Sequence, residues 1–300
     1  MVTTDVLSSV LRLLRFKASV FFHSSQCGSW TIDTSGSGRS TFHLIASGKG
    51  LLHLPDQDEA IPLIKGDLVV FPRDAKHRIT DSADSHPESL DEACSSEEAT
   101  GLICGYFDFE NPQRNPIINA LPDSVIVQGN GVDVDPSLQI LVDLMKFETE
   151  GEVIGADVVV DKLSEILFIY AVRSFIAKEN PKSGVLAALS DVQISRALDA
   201  VHDRPAEAWT VEKMAGMAGQ SRAAFSKHFS ELMDVPPMQY VGQWRMQLAF
   251  TDLREGKKTM LDIAESVGYN SEVSFRKAFK QITGITPGVA RKAAQSSVVD

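Results

Sequence analysis

The chain has 300 residues, 43% of them apolar and 23% charged, and a formal net charge of −11. That composition excludes a wholly disordered chain, and the length allows about two domains at ~150 residues each. The longest uninterrupted apolar run, Ile166–Val172, falls well short of the ~20 residues a membrane-spanning helix needs, so no integral membrane protein is expected.

At the N-terminus, Arg12, Arg15 and Lys17 interrupt the apolar stretch and no small-residue cleavage site follows it, so no secretory leader is expected. The cysteines, Cys27, Cys94 and Cys104, are too few and odd in number for a disulfide scaffold. They point to a reducing cytoplasm. The charge is uneven: residues 1–185 carry a net −12, residues 186–300 a net +1, and the stretch from Gln220 onward a net +3. An acidic front half is compatible with a mildly basic tail that faces phosphates.

From Phe42 to Ile79 short β-like runs alternate with turns. Phe42–Ala46 precedes Ser47-Gly48-Lys49-Gly50, Leu51–Leu54 precedes Pro55–Asp58, and Leu68–Phe71 precedes Pro72-Arg73-Asp74. Such spacing predicts an antiparallel sandwich or barrel. Gly66-Asp67 fits a tight turn, Leu68–Phe71 a buried strand, and Pro72 to His77 a bend that returns with an imidazole. These residues (Gly66, Asp67, Pro72, His77) resemble the second motif of cupin barrels. Roughly residues 8–130 are similar to the small cupin-type sensor domain in front of many AraC-family regulators. A metal-dependent cupin enzyme would also show a His-x-His with a Glu. Here Phe42-His43-Leu44-Ile45 offers one His and no Glu, so no catalytic metal and no cofactor are expected.

Asp81–Thr100 holds seven acidic residues and no Lys or Arg, which predicts a solvated loop insertion. Strand pattern resumes at Leu102–Phe109 and Ser124–Gln128. If the barrel gathers Cys27, Cys104, His43 and His77, they can bind a metal or form an oxidant-sensitive thiol pair. The plainer alternative is a buried inert thiol beside hydrogen-bonded core histidines, since no Cys-x-x-Cys or His-x-His spacing is present. Cys94, in the acidic loop, is expected to be an ordinary thiol.

Further on, Leu138, Leu141, Val142 and Met145 make one apolar stripe in a helix over Ser137–Glu150. Asp157–Glu179 reads as a longer helix, acidic at its start and basic at its end. Its centre is apolar on almost every side, so it must be covered on more than one face, either as a core helix against the barrel or as a dimer interface. Asn180-Pro181-Lys182-Ser183-Gly184 ends it and supplies a linker.

The tail repeats itself. Ser221, Phe225, Phe229 and Pro237 recur 50 positions later as Ser271, Phe275, Phe279 and Pro287. Met214, Ala215 and Ala218 recur 49 later as Ile263, Ala264 and Val267. A duplicated unit with one residue gained in a turn accounts for both offsets. Each copy has the grammar of a helix-turn-helix. A small alanine allows close helix approach, Gly219 or Gly268 supplies the positive φ of the turn, and Ser221 or Ser271 caps the next helix. Phenylalanines at i and i+4 bury one face. The other face carries Arg222, Ser226 and Lys227, or Glu272, Arg276, Lys277 and Lys280, as a helix in a major groove requires. Pro236-Pro237 opens a linking helix that Gly256 ends after Glu255. Its ~19 residues span ~28 Å, near the ~34 Å between successive major-groove faces. Trp244 and Leu248 are placed to pack that rod against the two units.

Residues 190–292 resemble the AraC/XylS DNA-binding domain, the second copy most closely. It reads Ile263-Ala264, Val267-Gly268-Tyr269, Ser271, Ser274-Phe275, Phe279-Lys280 and Gly284-Ile285-Thr286-Pro287. The resemblance implies a seven-helix domain and sequence-specific transcription control, commonly as a homodimer with an effector-sensing front domain. Carried onto this chain, it places Ala223, Ser226 and Lys227, and Glu272, Val273, Arg276 and Lys277, against bases. Ala223 has only a methyl to offer, to thymine, and Glu272 accepts from cytosine. Arg222 and Lys280 look like phosphate contacts, and Ser221 and Ser271, at the starts of the same helices, complete the expected DNA-facing set.

The expected architecture is therefore α+β. A cupin-like antiparallel β-barrel with helices occupies residues 1–130, a helical dimerisation and connector segment 131–184, and an all-α double helix-turn-helix domain 185–300. The expected function is a cytoplasmic, non-enzymatic transcription regulator, an activator or otherwise, answering a small effector or an oxidant. Its partners are double-stranded DNA, RNA polymerase and a second copy, and no membrane. A metal-binding cupin enzyme with an accessory DNA-binding tail is the alternative.

Overall fold

A computed structural model describes residues 5–13, 16–81, 99–109, 116–129, 136–151 and 153–296. The chain divides into two compact units. One is Arg15–Asn180, and the other joins Met1–Leu14 to Pro181–Asp300.

Among the described residues, the first unit holds nine strands: β1 (Phe16–Gln26), β2 (Thr31–Ile32), β3 (Ser40–Ser47), β4 (Lys49–His53), β5 (Ile61–Ile64), β6 (Leu68–Phe71), β7 (Arg78–Thr80), β8 (Thr100–Phe109) and β9 (Val125–Val127). They form two antiparallel sheets, β1-β8-β3-β6-β9 and β2-β7-β4-β5. The core between them is built by Trp30, Ile45, Leu52, Leu63, Val69, Phe71, Ile79, Leu102 and Cys104. Side chains alternate across a strand, so β3 and β8 turn Phe42 and Phe107 to the other face. There Phe42 stacks on Phe107, and Phe107 meets Phe168 edge-on at 5.3 Å.

Phe168 lies on the helix α4 (Ala156–Glu179), and α3 (Pro136–Glu150) packs beside it, with the short α2 (Pro116–Ala120) earlier in the chain. The apolar girth of α4 is thereby explained: it is covered by the barrel on one side and by α3 on another. The segment 131–184, expected as a separate connector, thus places both its helices in the barrel's unit. Asn180 caps α4 in the left-handed region, as the expected helix end requires.

The Gly66-Asp67 turn has a specific physical basis. Gly66 has φ +92, and its Cβ position would fall 3.0 Å from the Gly129 backbone. Asp67, 4% exposed, accepts from Ile64 N at 2.9 Å and Gly129 N at 2.7 Å. The carboxylate therefore ties the strand entry to the chain end beyond β9.

The second unit is helical: α5 (Gly184–Ser190), α6 (Val192–Asp203), α7 (Val211–Ala218), α8 (Arg222–Met233), α9 (Pro237–Glu255), α10 (Met260–Ser266), α11 (Glu272–Thr283) and α12 (Pro287–Ser296). From α6 onward that makes the seven helices the resemblance implies. One element comes from the other end of the chain. α1 (Val6–Leu13) buries Val6 and Val10 and packs on α6 and α9, although residues 1–130 read as a single front domain. Among the described residues, no helix is long and apolar enough to cross a membrane. Cys94 and most of the acidic insertion lie outside the described residues.

Candidate nucleic-acid interface

In the first tail unit, α7 ends at Gly219 with φ 67, and Ser221 caps α8 by accepting from Ala224 N at 3.3 Å. In the second, Thr259 and Asp262 form a capping box at the start of α10, Gly268 has φ 80, and Ser271 accepts from Ser274 N at 3.2 Å to start α11. Ala215 and Ala264 are buried at the helix crossings, and Phe225, Phe229, Phe275 and Phe279 are fully buried. Both copies thus follow one design, and the serines predicted among the DNA-facing residues act as N-caps.

The outward faces carry the predicted residues. Arg222, Ala223 and Lys227 are exposed on α8, with Ser226 half-buried. On α11, Val273 is 78% exposed, Arg276, Lys277 and Lys280 are exposed, and Glu272 is half-buried. Three of the cations have carboxylate partners: Arg222 with Glu212 at 2.8 Å, Lys227 with Glu231 at 3.8 Å, and Arg276 with Glu272 at 2.7 Å. Exposed pairs of this kind are worth about 0–1 kcal/mol, so they yield readily to phosphates or base edges. Lys277 and Lys280 make no ion pair among the described residues.

The rod between the copies is α9, 19 residues long, with Pro237 in its first turn and Gly256 as its left-handed C-cap. Trp244 stacks on His202 of α6 at 3.5 Å, and Leu248 packs on the core of the second unit. Sequence periodicity had no means of marking two further polar residues. His228, on α8, bridges Asp191 at 3.0 Å and Gln220 at 3.0 Å. Arg245, on α9, reaches back to the carbonyls of Pro205 and Glu207.

The barrel gathers three of its four predicted residues. His43 Nδ1 lies 3.0 Å from Cys104 Sγ, and His43 Nε2 lies 3.0 Å from His77 Nε2. Thr34 Oγ1 is within 3.2 Å of both Nε2 atoms. His77 Nδ1 donates to the Ala75 carbonyl at 2.7 Å, so its Nε2 is an acceptor. One orientation then satisfies the chain: the Cys104 thiol donates to His43 Nδ1, and His43 Nε2–H donates to His77. Burial, with the charge of His77 second, holds His43 at about 3; burial also lowers His77 and pushes the Cys104 thiol up. The set is therefore neutral and closed.

Cys27 does not join it. Cys104 is a free thiol inside the barrel, whereas Cys27 is disulfide-bonded. Cys27 follows Gln26, which pairs with Thr100, four residues along β8 from Cys104. At ~3.3 Å per residue that separation is ~13 Å, so a Cys27–Cys104 thiol pair is ruled out. Nor does the cluster fit a metal ion. Cys104 and His77 meet opposite nitrogens of one imidazole and cannot converge on a point. Among the described residues no group of three His, Cys, Asp or Glu side chains is placed to hold a cation.

A barrel of this kind and two helix-turn-helix units on one rod define a class of protein: a DNA-binding protein with a double reading head. Family comparison agrees on both parts. A cupin family model matches residues 5–177, and a helix-turn-helix domain model matches residues 214–293. The chain is 26% identical over 302 residues to the HTH-type transcriptional regulator MtrA of Neisseria gonorrhoeae, covering 96% of this chain and 98% of that one. It is 28% identical over 252 residues to the RCS-specific HTH-type transcriptional activator RclR of Escherichia coli, covering 84% of each. It is 29% identical over 296 residues to the HTH-type transcriptional regulator AlkR of Acinetobacter baylyi, covering 92% and 95%. The chain belongs to the AraC family of DNA-binding transcription regulators, in the group with an N-terminal cupin domain.

Proposed function

We propose that this regulator reads a specific DNA sequence with α8 and α11 and alters transcription when the barrel unit senses an oxidant. The duplicated outward face carries this reading: two helices with matching caps, buried phenylalanine pairs and exposed cations, 50 residues apart on a single rod. Ala223, Ser226, Lys227, Glu272, Val273, Arg276 and Lys277 face base edges, and Arg222 and Lys280 face phosphates. The double variant Arg276→Ala/Lys277→Ala tests it: specific operator binding is lost while the melting temperature is kept. Unchanged operator affinity would remove the assignment.

An oxidant is favoured over a small effector by Cys27. A disulfide is rare in the reducing compartment where a DNA-binding regulator works, and those that occur there are mostly redox-active. Cys104 is buried, protonated and hydrogen-bonded, which leaves it a structural role. Replacing Cys27 with Ser abolishes the oxidant response, whereas Cys104→Ser leaves it intact; the opposite pattern overturns the model. The chain acts without catalysing a reaction. It works as a homodimer in the cytoplasm and engages RNA polymerase from the bound operator. The exposed apolar stripe Ile140, Leu144 and Phe147 on α3 supports the second copy.

A further inference from the structure

We infer that Arg245 is a positioning residue that locks the two helix-turn-helix units together and so fixes the spacing of the DNA sites they read. This rests on the assignment of α8 and α11 as the DNA interface. Arg245 lies on α9, between the units. Its Nε donates to the Pro205 carbonyl at 2.8 Å and its Nη2 to the Glu207 carbonyl at 2.7 Å. A guanidinium holds both carbonyls at once because its donors form a rigid planar fork. The same group lies 5.9 Å from the ring of Tyr269, the residue after the second unit's turn glycine.

The captured segment, Arg204–Trp209, connects α6 to α7 in the first unit. It is stiff in its own right: Trp209 Nε1 donates to the Arg204 carbonyl at 2.8 Å, and Arg204 pairs with Glu207 at 2.9 Å. Its next residue, Thr210, is the N-cap of α7. The loop therefore hands its position directly to the first helix-turn-helix.

On its other side the loop presses on the second unit. A Cβ on Gly268 would sit 2.7 Å from the Ala206 carbonyl oxygen and 2.8 Å from Arg245 Nη2. Gly268 is thus required twice, for φ +80 and for this approach. Gly219, its counterpart in the first unit, has nothing within 4 Å of its Cβ position. The asymmetry between two otherwise matching turns marks the second as the seat of the latch. The rod alone leaves each unit free to pivot about its own contacts with α9, and the latch removes that freedom.

One base pair inserted between two half-sites moves the second by about 3.4 Å and turns it by about 34°. A locked pair cannot follow. The test selects duplexes from a random library with the full-length protein, then measures affinity for the selected site and for versions with one base pair added or removed between its halves. For the wild type, the change of spacing lowers affinity by about tenfold or more. For Arg245→Ala, the parent site weakens by about fivefold or less and the spacing penalty falls to about threefold or less. Arg245→Gln, which keeps part of the stem and reaches at most one carbonyl, moves the same way if the alanine variant is poorly folded. Phe229→Leu, a core change away from the latch, lowers the melting temperature but keeps the full penalty. Equal penalties in wild type and both Arg245 variants overturn the inference, as does a Phe229→Leu protein that loses its penalty. Enrichment of a single half-site also overturns it. A library that shows no enrichment at all overturns the DNA-interface assignment itself.

Discussion

Acid should loosen the helical unit through His202, and the size of the effect follows from its surroundings. His202 is 8% exposed, lies 11° from parallel to Trp244, and has Nε2 2.8 Å from the Tyr240 hydroxyl. Its Nδ1 is buried with no hydrogen-bond partner, so a second proton would find no acceptor there. Burial lowers the imidazole from 6.5 to about 3. For a base with a depressed folded-state pKa, the unfolded chain takes up the proton first as pH falls. The stabilisation is therefore intact above 6.5 and drains away as pH drops toward about 3. Linkage gives a loss of about 2 kcal/mol by about pH 5 and about 5 kcal/mol at about pH 3 and below. Against a domain stability of about 5–15 kcal/mol the first figure is already large. Urea unfolding followed by tryptophan fluorescence, on wild type and His202→Gln at about pH 7.5 and about pH 5, isolates the effect. His43 titrates alike in both proteins and cancels. The stability gap between the two should shift against the wild type by about 2 kcal/mol on acidification. Parallel losses would refute the claim that burial keeps His202 neutral.

Other substitutions probe the fold. Asp67→Ala leaves the Ile64 and Gly129 amides without their acceptor and should cost the barrel about 2–4 kcal/mol in a denaturant titration. Gly105→Ala drives a methyl into the Phe42 ring and the Ser19 carbonyl, an overpacking cost of about 1–3 kcal/mol seen as a lower melting temperature. Ser221→Ala and Ser271→Ala should each cost about 1 kcal/mol, and the corresponding glycine variants only a few tenths, measured by chemical unfolding.

What the sequence revealed tracks how local the physics is. Leu68–Phe71 is a strand with the expected ends because a glycine turn and a proline bound it. The rod runs from Pro237 to Glu255 as read, since proline and glycine act on the backbone where they stand. The duplicated tail was legible because each copy checks the other. β1 escaped because its second half, His23-Ser24-Ser25-Gln26, is polar and lies on an edge strand exposed along much of its length. α1 was legible neither as a helix of the tail unit nor as a partner of α6, since nothing local encodes contacts ~190 residues away in sequence. The cysteines show the same limit: residue types suggested a thiol pair, and only register along β8 separated Cys27 from Cys104. Arg245 leaves no mark in the sequence because its partners are backbone carbonyls, which no residue pattern displays.

The ion pairs on the recognition faces set how the protein should respond to salt. Each phosphate neutralised by a cation contributes about −0.9 to the slope of log affinity against log salt. Arg222, Lys227, Arg276, Lys277 and Lys280, counting a base-facing cation as also displacing counterions from the phosphates beside its base, would together give about −4.5 if all were available. Three of them stand beside Glu212, Glu231 and Glu272, and a cation moved to a phosphate leaves its carboxylate in the same repulsive field. Their net contribution is small, so the slope should lie near about −2, set mainly by Lys277 and Lys280. Shallow salt dependence means weak binding to arbitrary sequence, and this suits a chain of net charge −11 that must discriminate by base edges. Glu272→Gln frees Arg276 and should steepen the slope by about 0.9, while Lys280→Ala should flatten it by the same amount. A wild-type slope near about −4.5, unchanged by Glu272→Gln, would show that the carboxylates do not restrain these cations and would return the specificity argument to contact count alone.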